Sequence, residues 1–262
     1  MQRRKYPRVI INLVKRVAYH VYKLAQLTTV PPLNKYDFQT FDLIKKVLRH
    51  DANCIDVGAH TADILTKLLE AAPHGRHFAF EPVPWLYSSL EKKYGKRVRV
   101  SDIALSNKKG NDTFYVFKER PALSGLKKQW RQGLTDLPEE IPVKIDTLDN
   151  VIPQDLPIDI IKVDVEGGEL QVLQGAYNIL KKYKPMVLFE FGLGGSDLYD
   201  ATPQKMYDYL QDCGLSVSTL EYFLEGRPIL SREEFIGQYE KKYNYFFVAY
   251  NAADPLLRVV QQ

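Results

Sequence analysis

Two hydrophobic periods alternate along this chain. Over residues 8–27, Ile10, Leu13, Val14, Val17, Val21, Leu24 and Ala25 fall on one face at about 100° per residue, and Arg8, Asn12, Lys15, Arg16, Tyr19, Lys23 and Gln26 fall on the other. This predicts an amphipathic basic helix that ends before Pro31-Pro32. A second helix is predicted over 37–49, with Phe38, Phe41, Leu43, Ile44, Val47 and Leu48 apolar. From Cys54 onward, short apolar runs read as strands over 54–58, 77–81, 98–100, 158–163 and 186–190. Helical patterns stand between them: Thr61 to Ala72, Trp85 through Leu90 to Gly95, Gly168 to Tyr183 interrupted at Gly175, and Thr202-Pro203 to Cys213. A β-rich stretch contributes 113–117 and 143–145, and the end of the chain contributes strands over 215–220 and 245–250. Apolar strands separated by helices predict a parallel sheet covered on both faces. The expected organisation is one domain, 37–262, carrying a helical arm, 1–36.

Charge divides the chain at the same place. The formal net charge of +4 comes from 36 Lys and Arg against 32 Asp and Glu, yet eight basic residues precede the first acid, Asp37. The remainder is net acidic, so a nucleic-acid-binding surface is not expected. Two readings of the basic arm stay open: it packs on its own domain or on a second copy in a homo-oligomer, or it makes a peripheral contact with an anionic membrane. No stretch approaches the roughly 18 apolar residues of a membrane span. Cys54 and Cys213 are too few for a disulfide framework or a cysteine metal site, which points to a reducing, cytoplasmic setting.

The chemistry is expected at the C-terminal ends of the strands, where open sheets of this kind bind ligands. Acids recur there: Asp56, Glu81, Asp102, Asp164 with Glu166, and Glu190. Carboxylates converging on one rim repel one another unless a cation or a polyhydroxyl ligand meets them. The turn Asp56-Val57-Gly58-Ala59-His60-Thr61-Ala62 has one glycine where a dinucleotide-binding turn needs three, which disfavours a nicotinamide-dependent oxidoreductase. Asp56 suits a cationic cofactor such as S-adenosylmethionine, and Glu81 is placed to bind two ribose hydroxyls. In place of the Pro-Pro-aromatic run of base-nitrogen methyltransferases, the fourth strand leads into Asp164-Val165-Glu166-Gly167-Gly168-Glu169, so a hydroxyl is the expected acceptor.

Over roughly residues 50–220 the sequence resembles the FkbM family of S-adenosylmethionine-dependent methyltransferases. The matching pieces are Ile55 to Ala59, Phe80-Glu81-Pro82, Ala104-Leu105-Ser106, Thr147-Leu148-Asp149, Ile161 to Glu169, Val172 to Ala176 and Phe189-Glu190. The resemblance implies a doubly wound, mostly parallel seven-stranded Rossmann-like sheet. It also implies methyl transfer to a hydroxyl, often on a sugar, glycolipid or secondary metabolite. His60 and Ala62 stand where family members usually have Asn and Gly, a departure at the cofactor's methionine end that also leaves room for a membrane-associated scaffold without catalysis.

Gly58 and Ala59 are expected to pass the cofactor's amino-acid end, and Asp102 and Ile103 to contact adenine. Asp164 and Glu166 are candidates to orient the acceptor, to take its proton or, with Glu190, to hold a divalent ion. His60 is a candidate general base. The insertion 118–140, with Ser124 and Trp130, and the loop 192–200 are expected to contact a small-molecule or glycan acceptor, as is Glu190.

Overall fold

The computed structural model describes residues 35–129 and 137–254. The predicted helix over 8–27 and Trp130 lie outside them. Helix α1 (Lys35–Val47) buries Thr40, Leu43 and Ile44 and leads into β1 (Cys54–Val57), α2 (Asp63–Ala71) and β2 (His77–Phe80). The boundary expected between 36 and 37 falls inside α1, because Lys35 and Tyr36 are already helical. Helix α3 (Pro84–Tyr94) opens on a proline, whose fixed φ suits a first helical turn, and precedes β3 (Val98–Ser101).

The β-rich stretch forms a separate three-stranded sheet of β4 (Ala104–Leu105), β5 (Gly110–Val116) and β6 (Glu139–Asp146), ordered β4-β6-β5. Phe114, Val116, Val143 and Ile145 give it a small core of its own. Next come α4 (Leu148–Val151), β7 (Ile160–Val163), α5 (Glu169–Gln174), α6 (Tyr177–Tyr183) and β8 (Met186–Glu190). Two helices replace the single interrupted one: the chain turns at Gly175, where a Cβ would stand 2.1 Å from the Ser106 carbonyl oxygen. The last elements are α7 (Pro203–Asp212), β9 (Ser216–Thr219), α8 (Leu220–Leu224), α9 (Arg232–Glu240) and β10 (Phe246–Tyr250).

The seven-stranded sheet has the order β3-β2-β1-β7-β8-β10-β9, with β10 antiparallel to both of its neighbours. Alternate residues face opposite layers. Ile55, Ile161, Val187 and Phe247 pack with Leu173, Leu180, Met206 and Phe235 on one side. On the other, Cys54, Ile160, Leu188 and Val248 pack with Leu43, Ile44, Leu68 and Phe223. Strand order reverses between β1 and β7, which places a crevice beyond their C-terminal ends. Among the described residues, no helix is long and apolar enough to cross a membrane.

Candidate active site

The polar site begins where one apolar layer of the sheet ends. Two residues beyond Cys54, Ile160 and Leu188, the same pleat carries Asp56, Lys162 and Glu190. Asp56 and Lys162 are register partners across β1 and β7, and both are buried. Lys162 Nζ stands 3.3 Å from Asp56 Oδ1 and 3.7 Å from Asp164 Oδ2, and donates to the Gly58 carbonyl at 2.6 Å. Burial works against the Lys162 charge, but Asp56 and Asp164 outweigh it and hold its pKa above the ordinary value.

A cavity of about 260 Å³ opens over this crevice. It is lined by Gly58, Ala59, His60, Glu81, Ile103, Ser124, Asp164, Glu166 and Glu190, which the sequence singled out, and by Lys162, which it did not. Two expectations need correction. Asp56 is 1% exposed and does not line the cavity; its carboxylate lies behind the turn, facing Lys162 instead of a ligand. Asp102 is exposed and also outside the lining, whereas its half-buried neighbour Ile103 lines the cavity.

The turn after β1 spends four of its amides internally. The Gly58 and Ala59 amides both donate to the Phe80 carbonyl, the His60 amide to Glu81 Oε2 at 2.8 Å, and the Ala62 amide to the Ala59 carbonyl. A diphosphate has no free amides to bind at these positions. Glu81 Oε1 takes the Val83 amide at 3.0 Å, so each of its oxygens keeps one acceptor site for a further donor. Burial raises the Glu81 carboxyl, and the Val83 and His60 amides act against it. Gly58 (φ 74), His60 (φ 47) and Ala62 (φ 73) are all left-handed. Asn and Gly adopt that conformation readily, which accounts physically for the residues usual at positions 60 and 62. Burial lowers the His60 pKa, and its Nε2 is buried with no hydrogen-bond partner among the described residues.

Beyond β7 and β8, one carboxylate oxygen from each of Asp164, Glu166 and Glu190 lies within 4.8 Å of the others. Glu190 is raised well above its ordinary value, first by burial and then by the charges of Asp164, Glu166 and Glu169. A hydrogen bond to Asp164 adds to the rise. Glu166 sits at φ 61 and Gly167 at φ 111, a bend that needs support. Glu169 supplies it by accepting the Val165 and Gly167 amides at 3.0 Å each. The helix-terminus acid therefore reaches back into the loop. From the insertion, Ser124 Oγ takes the Phe117 amide and lines the cavity, while Gln129 donates to Glu166. A second cavity of about 440 Å³ shares Glu166, Glu190 and Tyr245 with the first and continues over Gly192, Leu193 and Asn244.

Lys162, Gln129 and Tyr245 are the residues missed in the sequence. Lys162 had a readable signal, a charge within an apolar strand, which is buried only when partnered. For Gln129 and Tyr245 the link to the site is long-range.

A family model described as the methyltransferase FkbM domain matches residues 56–217. The chain belongs to the FkbM methyltransferase family. The matched span runs from Asp56 to Val217, inside the edge strand β9, so α1, which supplies Tyr36 to the cavity rim, and Tyr245, just before β10, stand outside the FkbM match. Among solved structures, the chain is similar to a methyltransferase FkbM from Methylobacillus flagellatus KT, with 14% identity, TM-score 0.49, and coverage of 92% of this chain and 60% of that one. It thus spans 60% of that protein's length. A precorrin-6y C5,15-methyltransferase from Geobacter metallireducens GS-15 gives 16% identity and TM-score 0.39, covering 85% of this chain and 90% of that one. An S-adenosylmethionine-dependent O-methyltransferase from Thermotoga maritima gives 13% identity and TM-score 0.39, covering 75% and 57%. No curated protein matches the sequence.

Proposed function

We propose that this methyltransferase uses S-adenosylmethionine and methylates a hydroxyl oxygen of a small-molecule or glycan acceptor. The observation that carries the reading is the charge of the cavity. Glu81, Asp164, Glu166 and Glu190 line it against one buried cation, Lys162, and the amides of Gly58, Ala59, His60 and Ala62 are spent internally. That set of acidic acceptors fits a cationic, ribose-bearing ligand and repels a diphosphate. When bound, S-adenosylmethionine supplies an electrophilic methyl group on a sulfonium centre.

The residues of the chain divide the remaining work. Glu81 has one free acceptor site on each oxygen for a ribose hydroxyl, Ile103 offers an apolar wall for adenine, and Gly58 and Ala59 admit the amino-acid end. Asp164, Glu166 and Glu190 accept hydrogen bonds from the acceptor hydroxyl and receive its proton within the carboxyl cluster. Most of the rate then comes from holding the acceptor oxygen in line and dry, with proton transfer a smaller part. Isothermal titration of the intact chain with S-adenosylmethionine is expected to show binding that Glu81→Ala abolishes. Absence of binding at millimolar cofactor overturns the reading.

A further inference from the structure

Lys162 makes more contacts than neutralising Asp56 requires. Its ammonium group reaches Asp56 and Asp164, and its shortest contact, 2.6 Å, is with the uncharged carbonyl of Gly58. Gly58 is left-handed at φ 74, and a Cβ there would lie 1.9 Å from the Asp164 carbonyl oxygen. The turns after β1 and β7 therefore touch, and Lys162 binds to both from below while lining the cavity itself.

We propose that Lys162 is a positioning residue for the methyl donor. It fixes the Gly58 carbonyl and the Asp164 carboxylate at the donor's cationic end, and by cancelling Asp56 it leaves Asp164 as the negative charge the donor meets. This rests on the S-adenosylmethionine reading above. A lysine serving only as counter-ion to Asp56 would be dispensable once Asp56 is neutral, whereas a positioning lysine would not.

The test compares the intact chain with Asp56→Asn/Lys162→Met, which removes both charges at similar volume. Thermal melting and calorimetric titration with S-adenosylmethionine are the readouts. Replacing both members of a buried pair is expected to leave the melting temperature within about 5 °C of the unmodified chain. Affinity is expected to fall about tenfold or more, the effect of losing one charge-assisted hydrogen bond. Should the double variant not melt cooperatively, Lys162→Gln, which keeps a polar group beside Asp56 but does not span to Gly58, is read in the same way. A folded variant that binds as tightly as the unmodified chain overturns the proposal alone. Failure of the unmodified chain to bind overturns the donor reading, and this proposal with it.

Discussion

The side-chain amide of Gln129 donates both to the main-chain carbonyl of Glu166, at 2.9 Å, and to its carboxylate, at 3.2 Å. One residue of the insertion thus holds a left-handed residue of the candidate site by its backbone and by its charge. Gln129→Ala leaves both acceptors without this donor in a half-buried place. The expected loss is about 1–2 kcal/mol of stability, read by urea unfolding. Trypsin is expected to cut faster after Lys127 and Lys128 as the insertion loosens. Unchanged stability and cleavage would show that the insertion docks by other contacts.

The strand ends were legible because the sheet is parallel and buried on both faces. Its strands read as apolar runs, and the first polar residue after each run marks the rim. That logic located Gly58, Glu81, Asp164 and Glu190, all of which line the cavity. It misplaced Asp56 because an acid within a strand and an acid at its tip look alike until the cross-strand partner, Lys162, is known. Helix α9 was missed altogether, although Ser231 and Glu234 form a capping box that the Ser-x-x-Glu spacing announces. Its apolar residues, Phe235, Ile236 and Tyr239, are too few to give a clear helical stripe.

Ala62 places a sharp constraint on the first turn. It combines φ 73 with 1% exposure, so both backbone and space limit what can replace it. Ala62→Gly relieves about 1–2 kcal/mol of left-handed strain, but it loses a buried methyl worth about 0.8 kcal/mol and adds chain freedom costing about 0.5–1 kcal/mol. These effects nearly cancel, and stability within about 1 kcal/mol of the parent is expected. Ala62→Val adds a β-branch to a left-handed residue with no room around it, for an expected loss of about 3 kcal/mol or more. Urea unfolding of the two variants checks both; a mild Val variant would mean that the turn readily abandons its left-handed conformation.

The carboxyl cluster of Asp164, Glu166 and Glu190 brings three hard oxygen ligands together, and a divalent cation would compete there with the proton that the raised Glu190 carboxyl favours. Magnesium added after chelation is expected to raise the melting temperature more at pH 8.5 than at pH 6, where the proton competes best. Glu190→Gln is expected to remove that response. A melting temperature indifferent to magnesium at both values would leave the proton as the neutralising species.

Glu169 makes the fold itself sensitive to pH. Burial pushes its carboxyl up to about 7, against the pull of the Gly167 and Val165 amides. The unfolded chain has the ordinary value near 4.5. For an acid raised in this way, the folded state holds the proton more tightly. Below about pH 4.5 both states carry it and the residue costs nothing. Between about 4.5 and 7 the folded state keeps a proton that the unfolded state has lost, so stability falls as pH rises. Above about 7 both are ionised and the full cost stands, up to about 3 kcal/mol. Urea unfolding at pH 5, 6, 7 and 8 is expected to show this decline. In Glu169→Gln the amide oxygen can still accept the Val165 and Gly167 amides, so the loop keeps its support while this part of the decline disappears. Glu190, raised in the same direction, continues to contribute in that variant and prevents a flat profile. A variant whose stability falls with pH as steeply as the parent's would remove Glu169 as a source of the slope and leave the pH response with Glu190.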